Sequence, residues 1–113
     1  MKTRYGRVIA LRPEKLEYYK QLHASVWPGV LHRIKDCHIE NYSIYLKELE
    51  PGRIYLFSYM EYTGANYAAD MARMAADPTT QLWWKETDPC QTPIPLREGS
   101  EWWSPMDEVF HID

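Results

Sequence analysis

Ile39-Glu40-Asn41-Tyr42-Ser43-Ile44-Tyr45-Leu46-Lys47, the turn Glu50-Pro51-Gly52, and Arg53-Ile54-Tyr55-Leu56-Phe57-Ser58-Tyr59-Met60-Glu61-Tyr62 together decide the fold of this chain. The first run alternates and is rich in β-branched and aromatic residues, the pattern of a half-buried strand. Tyr42, Ile44 and Leu46 share one face; Asn41, Ser43 and Tyr45 share the other. In the second run Ile54, Leu56, Ser58 and Met60 alternate with Tyr55, Phe57 and Tyr59, so both faces carry large apolar groups. Helices can cover one face. The other needs cover as well, and a contiguous apolar patch of this kind marks an association site. A homodimer packed sheet to sheet is therefore expected.

Working outward, Arg4 to Leu11 reads as a first strand stopped by Arg12-Pro13. Pro13 suits the first turn of a helix, with Glu14 and Glu17 near its positive end. Leu16, Tyr19, His23 and Val26 fall on one face of that helix. Trp27-Pro28-Gly29 re-aims the chain, and a second helix follows with Val30, Leu31, Ile34 and Cys37 inward. Beyond the third strand, helices are expected from about Ala65 to Ala76 and from Thr79 to Thr87. The segment Asp88 to Pro105 holds four prolines and reads as a long wrapping loop, and Met106 to Ile112 as the last strand. The order predicts one domain over residues 1–113: an α+β, ferredoxin-like split βαβ fold with an antiparallel sheet.

The 45% hydrophobic and 14% aromatic content is that of a globular chain rather than a disordered one. A net charge of −3 with mixed signs argues against nucleic acid as a partner; Arg4, Arg7 and Arg12 stand singly in a strand. No apolar run approaches the ~18–20 residues that span a bilayer. The start, Met1-Lys2-Thr3-Arg4-Tyr5, lacks the apolar segment of a secretory signal. Two distant cysteines, Cys37 and Cys90, imply neither a disulfide framework nor a thiol metal site, so a cytoplasmic setting is expected.

Trp83-Trp84 is the feature with most chemical content. Adjacent helical side chains diverge by about a third of a turn, so one surface does not easily bury both. At least one indole is expected to line a groove, where its flat apolar face and single N–H suit a sugar. Tyr19 and His23, spaced i, i+4, are neighbours on the inward face of the first helix, and inward-facing Tyr42 adds a third polar tip. Three such groups aimed at one interior surface suggest a lined cavity. His32 reads as solvent-facing and His38 as a junction residue; the facing of His111 is open. No His-x-x-x-His or His-Glu-x-x-His motif and no Gly-rich phosphate loop occurs, so neither a metal nor another cofactor is expected, and no Gly-x-Ser-x-Gly marks a nucleophile elbow.

Glu17-Tyr18-Tyr19 with His23, then Val26-Trp27-Pro28, Asn41-Tyr42-Ser43-Ile44-Tyr45-Leu46, Trp83-Trp84-Lys85 and Glu108-Val109-Phe110-His111, form an ordered set along nearly the whole chain. In this set the sequence resembles the L-rhamnose mutarotases, small cofactor-free isomerases that act at the anomeric carbon. The resemblance implies a dimeric α/β barrel type of fold with one sugar pocket per subunit. It implies His23 as proton donor, and Tyr19, Tyr42, Trp83 and Trp84 as sugar contacts. The chain departs from the family pattern at Thr92 to Arg97 and in a longer connection, Glu98 to Pro105, bearing Trp102-Trp103. The expected activity is interconversion of the α and β anomers of L-rhamnose, with another deoxyhexose such as L-fucose as the alternative sugar. A cofactor-free monooxygenase or isomerase of the same fold, and a non-catalytic sugar-binding module, are the alternatives.

Overall fold

The computed structural model describes residues 2–96 and 99–113. The paired runs form strands β2 (Ile39–Glu50) and β3 (Arg53–Tyr62), joined at a tight turn where Gly52 adopts φ +76°, a conformation that favours glycine. Strand β1 (Thr3–Leu11) lies antiparallel along the other edge of β3, with Arg7 opposite Ser58 and Ile9 opposite Leu56. The expected wrapping loop contains two further strands. β4 (Gln91–Thr92) and β5 (Ser104–Met106) both pair with the free edge of β1. The result is a curled antiparallel sheet in the order β2-β3-β1-β4, with β5 beside β4 on the same edge.

The last strand is a correction. Pairing ends at Met106, and residues 107–113 have no strand partner. Phe110 and Ile112 alternate with His111 and Asp113 as in a strand, yet Val109, Phe110 and Ile112 are 94%, 77% and 76% exposed. Alternation reports a side chain's preference for one face; it does not supply a partner edge. The tail is held back on the sheet by Arg4, whose Nε donates to Glu108 Oε1 at 2.8 Å.

Four helices cover one face of the sheet. α1 (Leu16–Ala24) follows a 3-10 turn at Pro13–Lys15, one turn later than Pro13 suggested. α2 (Pro28–Asp36) starts on Pro28, whose fixed φ suits a first helical position. It buries Val30 and Cys37, while Leu31, expected inward, is exposed. α3 (Tyr67–Ala76) is capped by Asn66, which accepts from the Ala69 N–H, and α4 (Pro78–Thr87) by Asp77, which accepts from the Thr80 N–H. The Tyr18 hydroxyl donates to Glu86 and ties α1 to α4. Among the described residues, no helix is long and apolar enough to cross a membrane.

The core beneath these helices is divided. One cluster holds Ile9, Leu11, Tyr19, Ile54, Leu56 and Cys90; the other holds Ile39, Met60 and Tyr62, covered by Met71 and Met74. The second is anchored by buried Asp70, which accepts from the Tyr62 hydroxyl at 2.5 Å, from His38 Nδ1 at 3.0 Å and from Arg73 at 3.0 Å. These bonds, Tyr62 foremost, hold the Asp70 carboxyl down at about 2. Gly64 is required beside them, because a Cβ there would meet the Tyr62 hydroxyl oxygen at 2.4 Å. His38 is thus part of the scaffold. Between the two clusters, Arg7 and Ser58 occupy inward positions on β1 and β3, and there the floor turns polar.

Candidate functional site

Tyr19 and His23 are adjacent on the inner face of α1, as their i, i+4 spacing requires. Their rings stack at 4.2 Å between centroids with 28° between planes. His23 Nδ1 lies 2.9 Å from the Tyr19 carbonyl oxygen. A carbonyl can only accept, so Nδ1 carries the hydrogen and Nε2 is left for other partners. Trp83 meets the imidazole edge-on at 5.3 Å and itself packs edge-on against Trp27 at 5.1 Å. The imidazole is therefore fixed on two sides by rings and at one nitrogen by backbone. Burial lowers the His23 pKa below its ordinary 6.5, with the bond to Tyr19 working in the opposite direction. The same desolvation pushes the Tyr19 phenol up and keeps it protonated.

A cleft of about 340 Å³ opens over the polar floor between the core clusters. Arg7, Ser58 and Met60 form its base, Tyr42 one side, and Glu101, Trp102 and Trp103 the other. This is the size of a small-molecule site and suffices for a monosaccharide. Tyr42 lines the cleft with 42% of the residue exposed, and burial raises the pKa of its phenol. Its hydroxyl has no hydrogen-bond partner among the described residues. Arg7 donates to the Tyr67 hydroxyl at 2.8 Å and lies over the Tyr5 ring at 4.9 Å. No carboxylate among the described residues comes within ion-pair distance of it.

The structure thus brings His23, Tyr19 and Trp83 together and sets Tyr42 in the cleft, whose lining His23, Tyr19 and Trp83 do not join. One hydrogen-bonded residue joins the two groups: Gln91 reaches the Tyr19 hydroxyl on one side and Trp102 on the other. Trp84 stands apart, 36% exposed on α4 and outside the lining of this cleft. Among the described residues no group of three or more His, Cys, Asp or Glu side chains is placed to hold a metal ion. Sequence reasoning missed Arg7, Ser58, Gln91 and Glu101. For the first two a signal existed: a charged and a hydroxyl side chain on inward strand positions otherwise filled by Ile9, Leu11, Leu56 and Met60. Of the two segments singled out as departing from the family pattern, Arg97 and Glu98 lie outside the described residues; Glu101, Trp102 and Trp103 form the cleft wall.

The family model for L-rhamnose mutarotase matches residues 4–112. The chain belongs to the L-rhamnose mutarotase family. An L-rhamnose mutarotase from Bacillus subtilis (strain 168) is 32% identical, aligned over 97% of this chain and 98% of its own. One from Lactiplantibacillus plantarum is 31% identical, over 98% and 99%. The crystal structure of an L-rhamnose mutarotase from Formosa agariphila superposes with a TM-score of 0.72 over 98% of this chain at 22% identity, which establishes the shared fold. Membership makes the chain an isomerase, as the resemblance implied.

Proposed function

We propose that this protein interconverts the α and β anomers of L-rhamnose by acid-assisted opening and reclosure of the pyranose ring. The observation that carries the reading is the fixed imidazole of His23, with one nitrogen tied to backbone and the other without a hydrogen-bond partner among the described residues, in a mutarotase chain that also holds a cleft of monosaccharide size. Protonated His23 Nε2 gives its proton to the ring oxygen. The C1–O5 bond breaks as the anomeric hydroxyl loses its proton and C1 becomes an aldehyde carbon. Glu101, a carboxylate on the cleft wall, is an acceptor of the type this loss requires. The C1–C2 bond then rotates, and reclosure reverses the proton transfers on the other face. Tyr19 and Tyr42 hold sugar hydroxyls during the rotation, and Trp83 keeps the imidazole in place.

A donor pKa lowered by burial gives a strong acid that is mostly unprotonated at pH 7. Enzyme-driven exchange is therefore expected to rise as pH falls from 8 and to level off below a midpoint under 6.5. Saturation-transfer NMR between the anomeric protons of L-rhamnose, with uncatalysed exchange subtracted, measures both activity and profile. Exchange that declines with acidification would make His23 the base instead. L-Fucose run in parallel tests the sugar: transfer with fucose alone changes the substrate and keeps the chemistry. No transfer with either, in folded protein, leaves a sugar-binding module.

The homodimer is part of the same proposal. The strand order is that of the ferredoxin-like layout, and one face of the sheet bears no helix. Tyr55, Phe57 and Tyr59 are only half-buried there, and Tyr45 is exposed. Val109, Phe110 and Ile112 extend the apolar surface from the tail held at Arg4. A second copy placed face to face would cover these groups and close a barrel. Sedimentation is expected to give twice the 13.5 kDa chain mass, and Phe110→Asp to shift the population toward monomer. A species of single-chain mass at micromolar concentration would refute the pairing.

A further inference from the structure

We propose that Trp102 is a positioning residue that acts through Gln91 to leave the Tyr19 hydroxyl proton unspent, so that Tyr19 meets the bound sugar as a hydrogen-bond donor. The argument begins with what an indole can do. Trp102 Nε1–H is a donor only, and it lies 2.7 Å from Gln91 Oε1. That contact fixes which end of the Gln91 amide is oxygen. The other end, the NH₂, must then face Tyr19, and Nε2 donates to the Tyr19 hydroxyl at 3.2 Å. A hydroxyl oxygen that accepts from Gln91 turns its own hydrogen elsewhere. The polarity of the chain is thus set at the loop and passes inward without freedom to reverse.

Two further observations point to a ligand at the end of this chain. Gln91 and Tyr19 are both only 4% exposed, so neither can satisfy itself with bulk water. Among the described residues, the Tyr19 hydroxyl finds no acceptor for its proton. A buried donor without an acceptor is costly, and the cost is removed when an acceptor arrives. Trp102, one hydrogen-bonded residue removed from Tyr19, lines the adjoining cleft together with Tyr42. A sugar oxygen in that cleft is an acceptor of the right kind, and burial keeps the phenol neutral and able to donate. Phenylalanine in place of Trp102 would retain a ring against the cleft and remove only the N–H. The Gln91 amide could then turn its oxygen to Tyr19 and consume the proton that the sugar needs.

This inference rests on the sugar-isomerising role proposed above, and one experiment separates the two. Anomer exchange is measured for the unaltered protein, Trp102→Phe, Tyr19→Phe and the double variant. The expected loss in kcat/KM from Trp102→Phe is about three- to tenfold, the worth of one hydrogen bond, and less than about twofold when Tyr19 is already phenylalanine. Equal losses in both backgrounds, or none in either, overturn the relay. A second readout needs no activity. In ¹H–¹⁵N spectra the Trp102 indole N–H, assigned by its loss in Trp102→Phe, is expected downfield and protected from solvent exchange, and Gln91→Leu should move it upfield and unprotect it. A resonance indifferent to Gln91→Leu overturns the relay even if exchange is rapid. Absent exchange with a responsive indole signal removes the sugar reading and leaves the relay standing.

Discussion

His23→Ala is expected to lower enzyme-driven anomer exchange by about 10²–10⁴-fold, the usual contribution of a positioned acid. The chain should stay folded. His23 is half-buried at the end of α1, where alanine is the best helix former available. Its one hydrogen bond runs to the carbonyl of its own helix, four residues back, so no partner in another element is left unsatisfied. What disappears is a ring stacked on Tyr19 and edged by Trp83, together with the only imidazole in this part of the molecule. His32 is exposed on α2, His38 is bound to Asp70, and His111 lies in the tail beside Asp113. None can substitute. Saturation transfer paired with a thermal melt decides the matter: retained exchange refutes the acid assignment, whereas lost exchange with an unchanged melt supports it.

The second large effect is on stability. Trp83→Ala is expected to cost about 3–5 kcal/mol, the range for truncating a buried large aromatic, because Trp83 is only 6% exposed and wedged between His23 and Trp27. For a domain of this size that is a fall in Tm of roughly 12 °C or more. Its neighbour should behave differently. Trp84 is 36% exposed, and its replacement by alanine is expected to leave the melt within a few degrees. A melt unchanged by Trp83→Ala would show that the indole is not core. Trp84→Ala that raises KM for L-rhamnose while leaving the melt alone would make Trp84 part of the sugar site.

What could be read from the residues followed local periodicity. The alternation of Ile39 to Lys47 and Arg53 to Tyr62 around Pro51-Gly52 forms the observed hairpin, with Ile44 and Leu46 on the face expected of them. The spacing of Tyr19 and His23 makes them neighbours, and the divergence of Trp83 and Trp84 appears as one buried and one exposed ring. The rest depended on contacts between distant residues. Nothing local shows that Gln91 lies between Tyr19 and Trp102, 72 positions one way and 11 the other. The tail after Met106 has the pattern of a strand, but every edge it could join is already occupied or out of reach. Arg7 was legible as a singly placed charge; its place on a cleft floor required knowing what returns over it.

That return has a consequence for how the molecule is made. The free edge of β1 is completed only by β4 and β5, which follow all four helices in the chain; the Arg4–Glu108 tie spans 104 positions. Contacts of such separation are slow to form, because loop-closure entropy must be met before they contribute. A nascent chain therefore carries an unpaired edge, with its tendency to join other strands, until β4 and β5 have emerged. The wall bearing Trp102 belongs to the same returning segment, so the cleft comes into being with the closure of that edge. Enzymatic activity in this protein is accordingly a signal that the edge of β1 has been closed.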